Sequence, residues 1–181
     1  MTSVLLTGIG QLVTNNELYA GTPPCAVPAG RADAESRLGV IPGAAVVVGR
    51  GPDGRPVVEW IGVESAAPAA DSTRDLGGRC VIPAFVDPHT HLVFAGDRCD
   101  EFTARMAGRR YDGGGIARTV ATTAAASDVD LRTLLDARVA ECRAQGTGTL
   151  EIKTGYGLDV VGEARLARLA HHVTPHVTFL G

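Results

Sequence analysis

The chain has 181 residues, of which 45% are hydrophobic and 20% are charged, and its formal net charge is −3. It has too many apolar residues for a disordered chain, and it lacks the run of about 20 apolar residues that a membrane-spanning helix needs. Its slight acidity and its low aromatic content of 4% argue against a surface that binds nucleic acid.

The first residues and the cysteines favour a cytoplasmic protein. Residues 1–6 lack the basic region, the long apolar core and the cleavage site of a secretory signal. The four cysteines show neither CxxC nor zinc-ribbon spacing, so we expect free thiols. We expect neither nucleic acid nor a membrane as a partner, and the sequence leaves open whether two copies form a homodimer.

Residues 1–81 predict a small β-sheet domain. Ser3–Leu6 and Gln11–Val13 are short β-type runs. Ala44–Val48 and Pro56–Ile61 are apolar runs separated by Arg-Gly-Pro-Asp-Gly-Arg, which is a strong hairpin signal. Gly21–Glu35 is rich in proline and poor in apolar residues, so we expect a surface loop there.

Residues 82–181 predict alternating strands and helices, and therefore a parallel sheet of the α/β class. A nearly continuous apolar run predicts a first strand that is covered on both faces. Ser127 is a candidate N-cap, and Gly146 is a candidate stop for the helix between them. The predicted elements are strands at Val81–Val86, Thr149–Lys153 and His176–Leu180, and helices at Thr119–Ala126, Ser127–Gly146 (apolar stripe Leu131, Leu135, Val139, Cys142) and Asp159–His172.

The sharpest chemical signal is Asp-Pro-His-Thr-His at residues 87–91. Residues i and i+2 of an extended strand project on the same face, so His89 and His91 can place two imidazoles on one metal ion. Two neutral nitrogen donors suit zinc or iron, with one or two further protein ligands. The alternative is a pair of loop histidines that hydrogen-bond to backbone.

Longer motifs resemble a known family. Residues 81–91 resemble the first barrel strand of the amidohydrolase superfamily, which comprises metal-dependent hydrolases with a TIM barrel and a companion β-sandwich. His-Leu-Val-Phe-Ala-Gly-Asp-Arg at 91–98 and Glu-Ile-Lys-Thr-Gly-Tyr-Gly-Leu at 151–158 look like the imidazolonepropionases within it, as does Thr-Gly-Ile-Gly-Gln-Leu-Val at 7–13. The resemblance runs along nearly the whole chain.

The resemblance implies a fold and a reaction. Residues 1–81 would form the small β-sandwich-type domain, and residues 82–181 would form the N-terminal portion of a TIM barrel with about three βα units. The reaction is hydrolysis of 4-imidazolone-5-propanoate to N-formimidoyl-L-glutamate in histidine degradation, by a water activated by one zinc or iron ion. In the family a further substrate-binding histidine, the third metal histidine, the acid/base glutamate and the metal-binding aspartate lie beyond residue 181. We therefore expect no catalytic acid or base within this chain, and an isolated chain that is inactive and holds metal weakly.

The resemblance also assigns site residues. His89 and His91 become metal ligands, and Arg98 holds the propionate of the substrate, a role that a planar guanidinium suits. Tyr156 becomes a substrate contact, and so does Tyr111, although the segment that follows Tyr111 is shorter than is usual in the family. The alternatives are a surface salt bridge for Arg98, with Asp97, Asp100 or Glu101, and a turn tyrosine that packs on a helix for Tyr156.

Two other groups invite a metal interpretation, which we do not favour. Lys153 resembles the bridging lysine of a two-metal site, but the family uses one metal, so we expect a structural ion pair. His171, His172 and His176 form a cluster, but the first two fall at a predicted helix C-terminus, where the dipole favours imidazole without any metal. Two other functions stay open: another cyclic-amide hydrolase or deaminase of the superfamily, and a non-catalytic remnant or binding module.

Overall fold

The computed structural model describes residues 3–16, 38–108 and 114–180, which belong to two compact units, residues 1–83 and 84–181. The described residues contain two β-sheets and four α-helices, so the predicted mixed α/β class is confirmed. The predicted loop at Gly21–Glu35 lies outside the described residues.

The first unit contains one four-stranded mixed sheet. Strand β1 is antiparallel to β2 and parallel to β4, and β2 is antiparallel to β3, which gives the order β3-β2-β1-β4. One cluster of buried apolar side chains from β1 and β2 forms its core. The strands are β1 (Val4–Val13), β2 (Val40–Arg50), β3 (Pro56–Val63) and β4 (Ser72–Val81).

The hairpin predicted around residues 50–55 is confirmed by the pairing of β2 with β3. Gly54 adopts a φ of 78°, a left-handed conformation that glycine takes at little cost. The Arg50 Nη1 donates to the Gly54 carbonyl at 2.7 Å, which closes the turn. The turn chemistry in the sequence therefore specifies this connection.

The two short strands predicted at the N-terminus are one strand, β1, with an irregularity between Leu6 and Ile9. Gly8 has a φ of 63°, and a Cβ built there would lie 1.9 Å from the Asp75 Oδ1. A bulge at a glycine bends a strand without ending it, so β1 continues through the irregularity at Gly8 as one strand.

The strand predicted at Val81–Val86 is wrong in its extent and its burial. Val81 ends β4, and a separate strand β5 (Phe85–Thr90) begins after Pro83, which has no N–H to donate to a ladder. Phe85 and Val86 are 59% and 65% exposed, so this part of the strand is not covered on both faces in this chain. No local pattern predicts β4, because its residues are mostly exposed and lack apolar alternation.

The second unit contains a parallel sheet in the order β5-β6-β7, which confirms the predicted parallel pairing. Strand β6 spans Thr147–Lys153, and β7 is limited to Val177–Thr178 within the predicted His176–Leu180. The helices are α1 (Cys99–Met106), which was not predicted, α2 (Gly114–Ala125), α3 (Asp128–Ala144) and α4 (Val160–Ala170). Among the described residues, no helix combines the length and the apolar character that crossing a membrane would take.

Helix α3 begins and ends as its sequence predicts. The Ser127 side chain accepts a hydrogen bond from the Asp130 N–H at 3.1 Å, and Gly146 follows the helix with a φ of 97°. The side chains of Leu131, Leu135 and Val139 are buried against β6 and α4 in the core of this unit. The stripe therefore fixes helix α3 on the sheet that carries the candidate site.

We expect Leu135→Ala to lower the free energy of unfolding by about 2–5 kcal/mol, because the fully buried side chain would leave a cavity in the core. Leu134→Ala is the matched control, since Leu134 is adjacent on the same helix and 36% exposed. Urea denaturation of both variants measures the difference. Equal losses for the two would contradict this packing.

Candidate active site

His89 and His91 bring their imidazoles together at the end of β5. The two Nε2 atoms are 3.3 Å apart, and the ring centroids are 5.3 Å apart. The Asp87 Oδ1 accepts from the His89 N–H at 3.1 Å, and the Thr90 Oγ1 donates to the Glu151 carbonyl of β6 at 2.7 Å. The first bond lies within β5 and the second ties β5 to β6, and the two rings meet at the carboxyl end of β5.

The spacing of the pair fits a metal ion. Two imidazole nitrogens that each lie about 2.1 Å from a tetrahedral zinc ion are roughly 3.4 Å apart, close to the observed separation of the Nε2 atoms. The donors are also of the type that zinc and iron take. Within the described ranges, however, no group of three His, Cys, Asp or Glu side chains is close enough to hold a metal. The pair therefore offers two nitrogen donors, one fewer than a catalytic zinc site takes from its protein.

Tyr156 contacts one member of this pair, His91, from the loop that follows β6. Its ring lies edge-on to the His91 ring, with centroids 6.0 Å apart, and 5.8 Å from the ring of Phe94. The Tyr156 ring thus contacts both His91 and Phe94 in the segment that leads from His91 to Arg98.

Arg98 is held at the wall of a cavity of about 450 Å³. Its Nε donates to the Thr119 Oγ1 at 3.2 Å, while the same hydroxyl donates to the Gly115 carbonyl of helix α2 at 3.1 Å. Arg98 makes no ion pair with any described residue, whereas Asp100 pairs with Arg118. The cavity is lined by Phe94, Gly96, Asp97, Arg98, Thr119, Arg138 and Tyr156.

Arg138 of helix α3 fixes the segment between the histidines and Arg98. Its Nη1 donates to the carbonyls of Leu92 and Phe94 at 2.9 and 2.7 Å, and its guanidinium carbon lies 3.5 Å above the Phe94 ring. Burial lowers the pKa of this guanidinium from its usual value, and the nearby Tyr156 opposes that effect. The segment has no regular secondary structure, so Arg138 satisfies carbonyls that no strand or helix pairs.

Glu163 of helix α4 holds the loop that carries Tyr156. The side chain is 3% exposed, and its carboxylate accepts from the backbone N–H groups of Gly155, Gly157 and Leu158 at 2.6, 2.7 and 2.9 Å. Burial alone raises the pKa of Glu163. Hydrogen bonds from Thr154 and from the three N–H groups outweigh that effect, so the pKa lies below its usual value.

We expect Glu163→Gln to lower the free energy of unfolding by about 2–3 kcal/mol near neutral pH, because buried N–H groups lose a charged acceptor. The native pKa of Glu163 is depressed, so this contribution is complete above the unfolded-state pKa of about 4.3 and is lost as the pH falls through the native value. Urea denaturation of wild type and variant should therefore show a difference that shrinks under acid conditions. Exposed Glu141→Gln is the control, and a difference independent of pH would contradict this role.

The remaining predicted residues lie elsewhere. Lys153 pairs with Glu151, and Thr178 donates to the same carboxylate oxygen. The hydrogen bond from Lys153, and then that from Thr178, lower the pKa of Glu151. His171 and His172 follow helix α4 and are exposed, as is His176. Tyr111 lies outside the described residues.

The sequence did not point to Thr119, Arg138 or Glu163. A threonine that bonds the carbonyl four residues back in a helix has no distinctive sequence pattern, and Arg138 resembles any polar residue on an amphipathic helix. Glu163 offered a signal, since it follows the N-cap Asp159 and a Gly-Tyr-Gly loop. An acidic residue in a first helical turn is, however, explained equally well by the helix dipole.

The histidine pair lies at the carboxyl end of a parallel strand, which is where enzymes built on parallel sheets collect their active-site residues. No protein-family model matches the chain. The imidazolonepropionase of Streptomyces avermitilis is 51% identical over 179 residues, which are 99% of this chain and 42% of that protein. Those of Salinispora tropica and Mycolicibacterium smegmatis are 49% and 47% identical, and each match covers 100% of this chain and 41% of the relative.

These matches confirm the family resemblance that the motifs predicted. The chain is related, over its whole length, to the N-terminal part of the imidazolonepropionases, and it spans about two fifths of the length of these relatives. Among solved structures, a triazine hydrolase from Arthobacter aurescens is 16% identical with a TM-score of 0.49, over 95% of this chain and 34% of that one. A variant of triazine hydrolase matches with the same TM-score and identity over 94% of this chain and 33% of that one.

Proposed function

We propose that this chain supplies the metal-binding and carboxylate-binding part of an imidazolonepropionase, which hydrolyses 4-imidazolone-5-propanoate to N-formimidoyl-L-glutamate. One observation carries the proposal: Tyr156 contacts His91 and also lines the cavity that holds Arg98. One residue therefore joins the histidine pair to an arginine that could bind an acidic tail. The relatives named for this activity support the choice of substrate.

The proposal includes the architecture. Residues 1–81 would belong to the small β-sandwich-type domain of the complete enzyme, and residues 82–181 would form the first three βα units of its TIM barrel. The parallel order β5-β6-β7 supports this, as do the exposed Phe85 and Val86, which further strands could cover. The site at the carboxyl end of β5 is where TIM barrels collect their catalytic groups. We place the enzyme in the cytoplasm, and we leave its assembly as a homodimer open.

The roles of the residues follow from their chemistry. His89 and His91 would hold one zinc or iron ion, which when bound supplies a hydroxide nucleophile near neutral pH and polarises the ring carbonyl. Arg98 would bind the propionate carboxylate through two parallel N–H···O bonds, since Thr119 occupies only its Nε. Tyr156 would donate a hydrogen bond to the ring. Tyr111 would be a further substrate contact, on the family resemblance alone.

The reaction adds water across the ring C–N bond: the carbonyl carbon gains the hydroxyl group and the nitrogen gains the proton. Binding by Arg98 would fix the ring by its tail, so that the carbonyl faces the histidine pair and not the solvent. His89 and His91 would provide two metal ligands, and no described group of three is close enough to hold a metal. Catalytic zinc sites use three protein ligands. We therefore expect the 181-residue chain alone to bind zinc weakly and to give no turnover.

The test joins this chain to the remaining part, about three fifths, of the Streptomyces avermitilis relative as one continuous protein. We expect loss of 4-imidazolone-5-propanoate with matching release of N-formimidoyl-L-glutamate. Hydantoin, dihydroorotate and nucleobases are the competing substrates. A folded, zinc-loaded protein that turns over one of these in preference to the imidazolone, or that turns over none, would contradict the proposal.

A further inference from the structure

The loop at residues 154–158 adopts backbone dihedrals that are unfavourable unless other contacts stabilise them. Gly155 has a φ of 138°, and Leu158 has a φ of 57°, which is costly for a residue with a branched side chain. Dihedrals of this kind turn successive N–H groups toward one side and form a concave donor site for an anion. The anion here is the carboxylate of Glu163, which receives three of these N–H groups.

The packing between the loop and helix α4 is equally close. A Cβ built on Gly157 would lie 2.3 Å from the Glu163 nitrogen and 2.5 Å from the Gly162 carbonyl carbon, so no larger residue fits there. Gly155 and Gly157, both bonded to Glu163, are the two neighbours of Tyr156 in the chain. The backbone of Tyr156 is thus fixed on both sides by one side chain.

We propose that Glu163 is a positioning residue, which holds Tyr156 against His91 and at the cavity that contains Arg98. This role rests on the proposed function, in which Tyr156 contacts the substrate. Glutamine in place of Glu163 keeps the shape of the side chain but has one acceptor oxygen, and its NH₂ group would face a backbone N–H. The loop would then lose at least one of its three bonds, and Tyr156 would leave its place between His91 and Phe94.

The test follows Tyr156 in the 181-residue chain labelled with 3-fluorotyrosine, by ¹⁹F NMR. The chain has three tyrosines, so Tyr156→Phe assigns the resonance. In E163Q we expect this resonance to shift to its position in the unfolded chain and to become more sensitive to a soluble gadolinium chelate. The measurement is made well below the unfolding temperature, with helix content verified by circular dichroism. E141Q, which removes an exposed glutamate from helix α3, should leave the resonance unchanged.

An unchanged Tyr156 resonance in folded E163Q would overturn the proposal, because a purely stabilising role lowers the unfolding temperature without moving the ring in the native state. If E163Q does not fold, amide exchange in the wild type decides. The N–H groups of Gly155, Gly157 and Leu158 should then be protected together, and free exchange would overturn the proposal. Neither readout needs metal or substrate, so failure of the proposed function would appear separately, as a joined protein that does not turn over the imidazolone beside an intact effect of E163Q.

Discussion

Replacing His89 or His91 by asparagine is expected to lower kcat/KM of the protein joined to its relative's remaining part by about a thousandfold or more. Metal activation of water and polarisation of the carbonyl together contribute several kcal/mol to the transition state, and each 1.4 kcal/mol is about tenfold in rate. Because the two Nε2 atoms are 3.3 Å apart, we expect both rings to hold the same metal ion.

Either substitution should therefore cost nearly as much as both together, since groups that act as one unit are not additive. His176→Asn is the matched control, because it removes an exposed imidazole from the same unit and should leave kcat/KM unchanged. Zinc content measured beside the rate shows whether the metal is lost. Retention of activity in either single variant with full zinc content would contradict the role of the pair.

Arg98→Gln is expected to lower kcat/KM by about a hundredfold to a thousandfold. The loss removes two charge-assisted hydrogen bonds to the carboxylate of the substrate, which are worth roughly 3–4 kcal/mol together. Arg98→Lys should recover only part of this, because an ammonium cannot make two parallel bonds. The methyl ester of the substrate tests whether Arg98 acts by binding the carboxylate. We expect kcat/KM for the ester to be low in the wild type already, and Arg98→Gln should scarcely lower it further.

Arg118→Gln is the control, because Arg118 lies on the neighbouring helix α2, is exposed, and pairs with Asp100. It should leave both substrates unaffected. An equal effect of Arg98→Gln on the acid and on its ester would show that Arg98 maintains the structure of the cavity and does not bind the carboxylate.

The sequence predicts those elements whose cause is local. The Ser127 cap, the apolar stripe of helix α3 and the glycine-rich hairpin each have a signal within a few residues, and each is present in the structure. Strand β4 has no such signal, because it is mostly exposed and its pairing with β1 joins residues about 70 positions apart. The prediction of one strand at Val81–Val86 gave too little weight to Pro83, which is a local signal for the division between β4 and β5. What will cover the apolar run is not a local property, and the run does not show it.

The candidate site likewise contains residues whose placement the local sequence predicts and residues whose placement depends on tertiary contacts. His89 and His91 are two residues apart on one strand, so their convergence follows from local geometry. The sites of Arg98 and Tyr156 depend on Thr119, Arg138 and Glu163, which lie on three different helices. These three side chains act through tertiary contacts, and their positions in the sequence do not predict which loop or segment each one contacts.

The most direct test is a zinc titration of the chain labelled with ¹⁵N at histidine, observed by NMR. The chain has five histidines, three of them at positions 171, 172 and 176. We predict that the Nε2 resonances of His89 and His91 shift together as Zn²⁺ is added, before any of the other three. Zinc that binds first at the other three, or that shifts only one ring of the pair, would contradict a metal site at the end of β5.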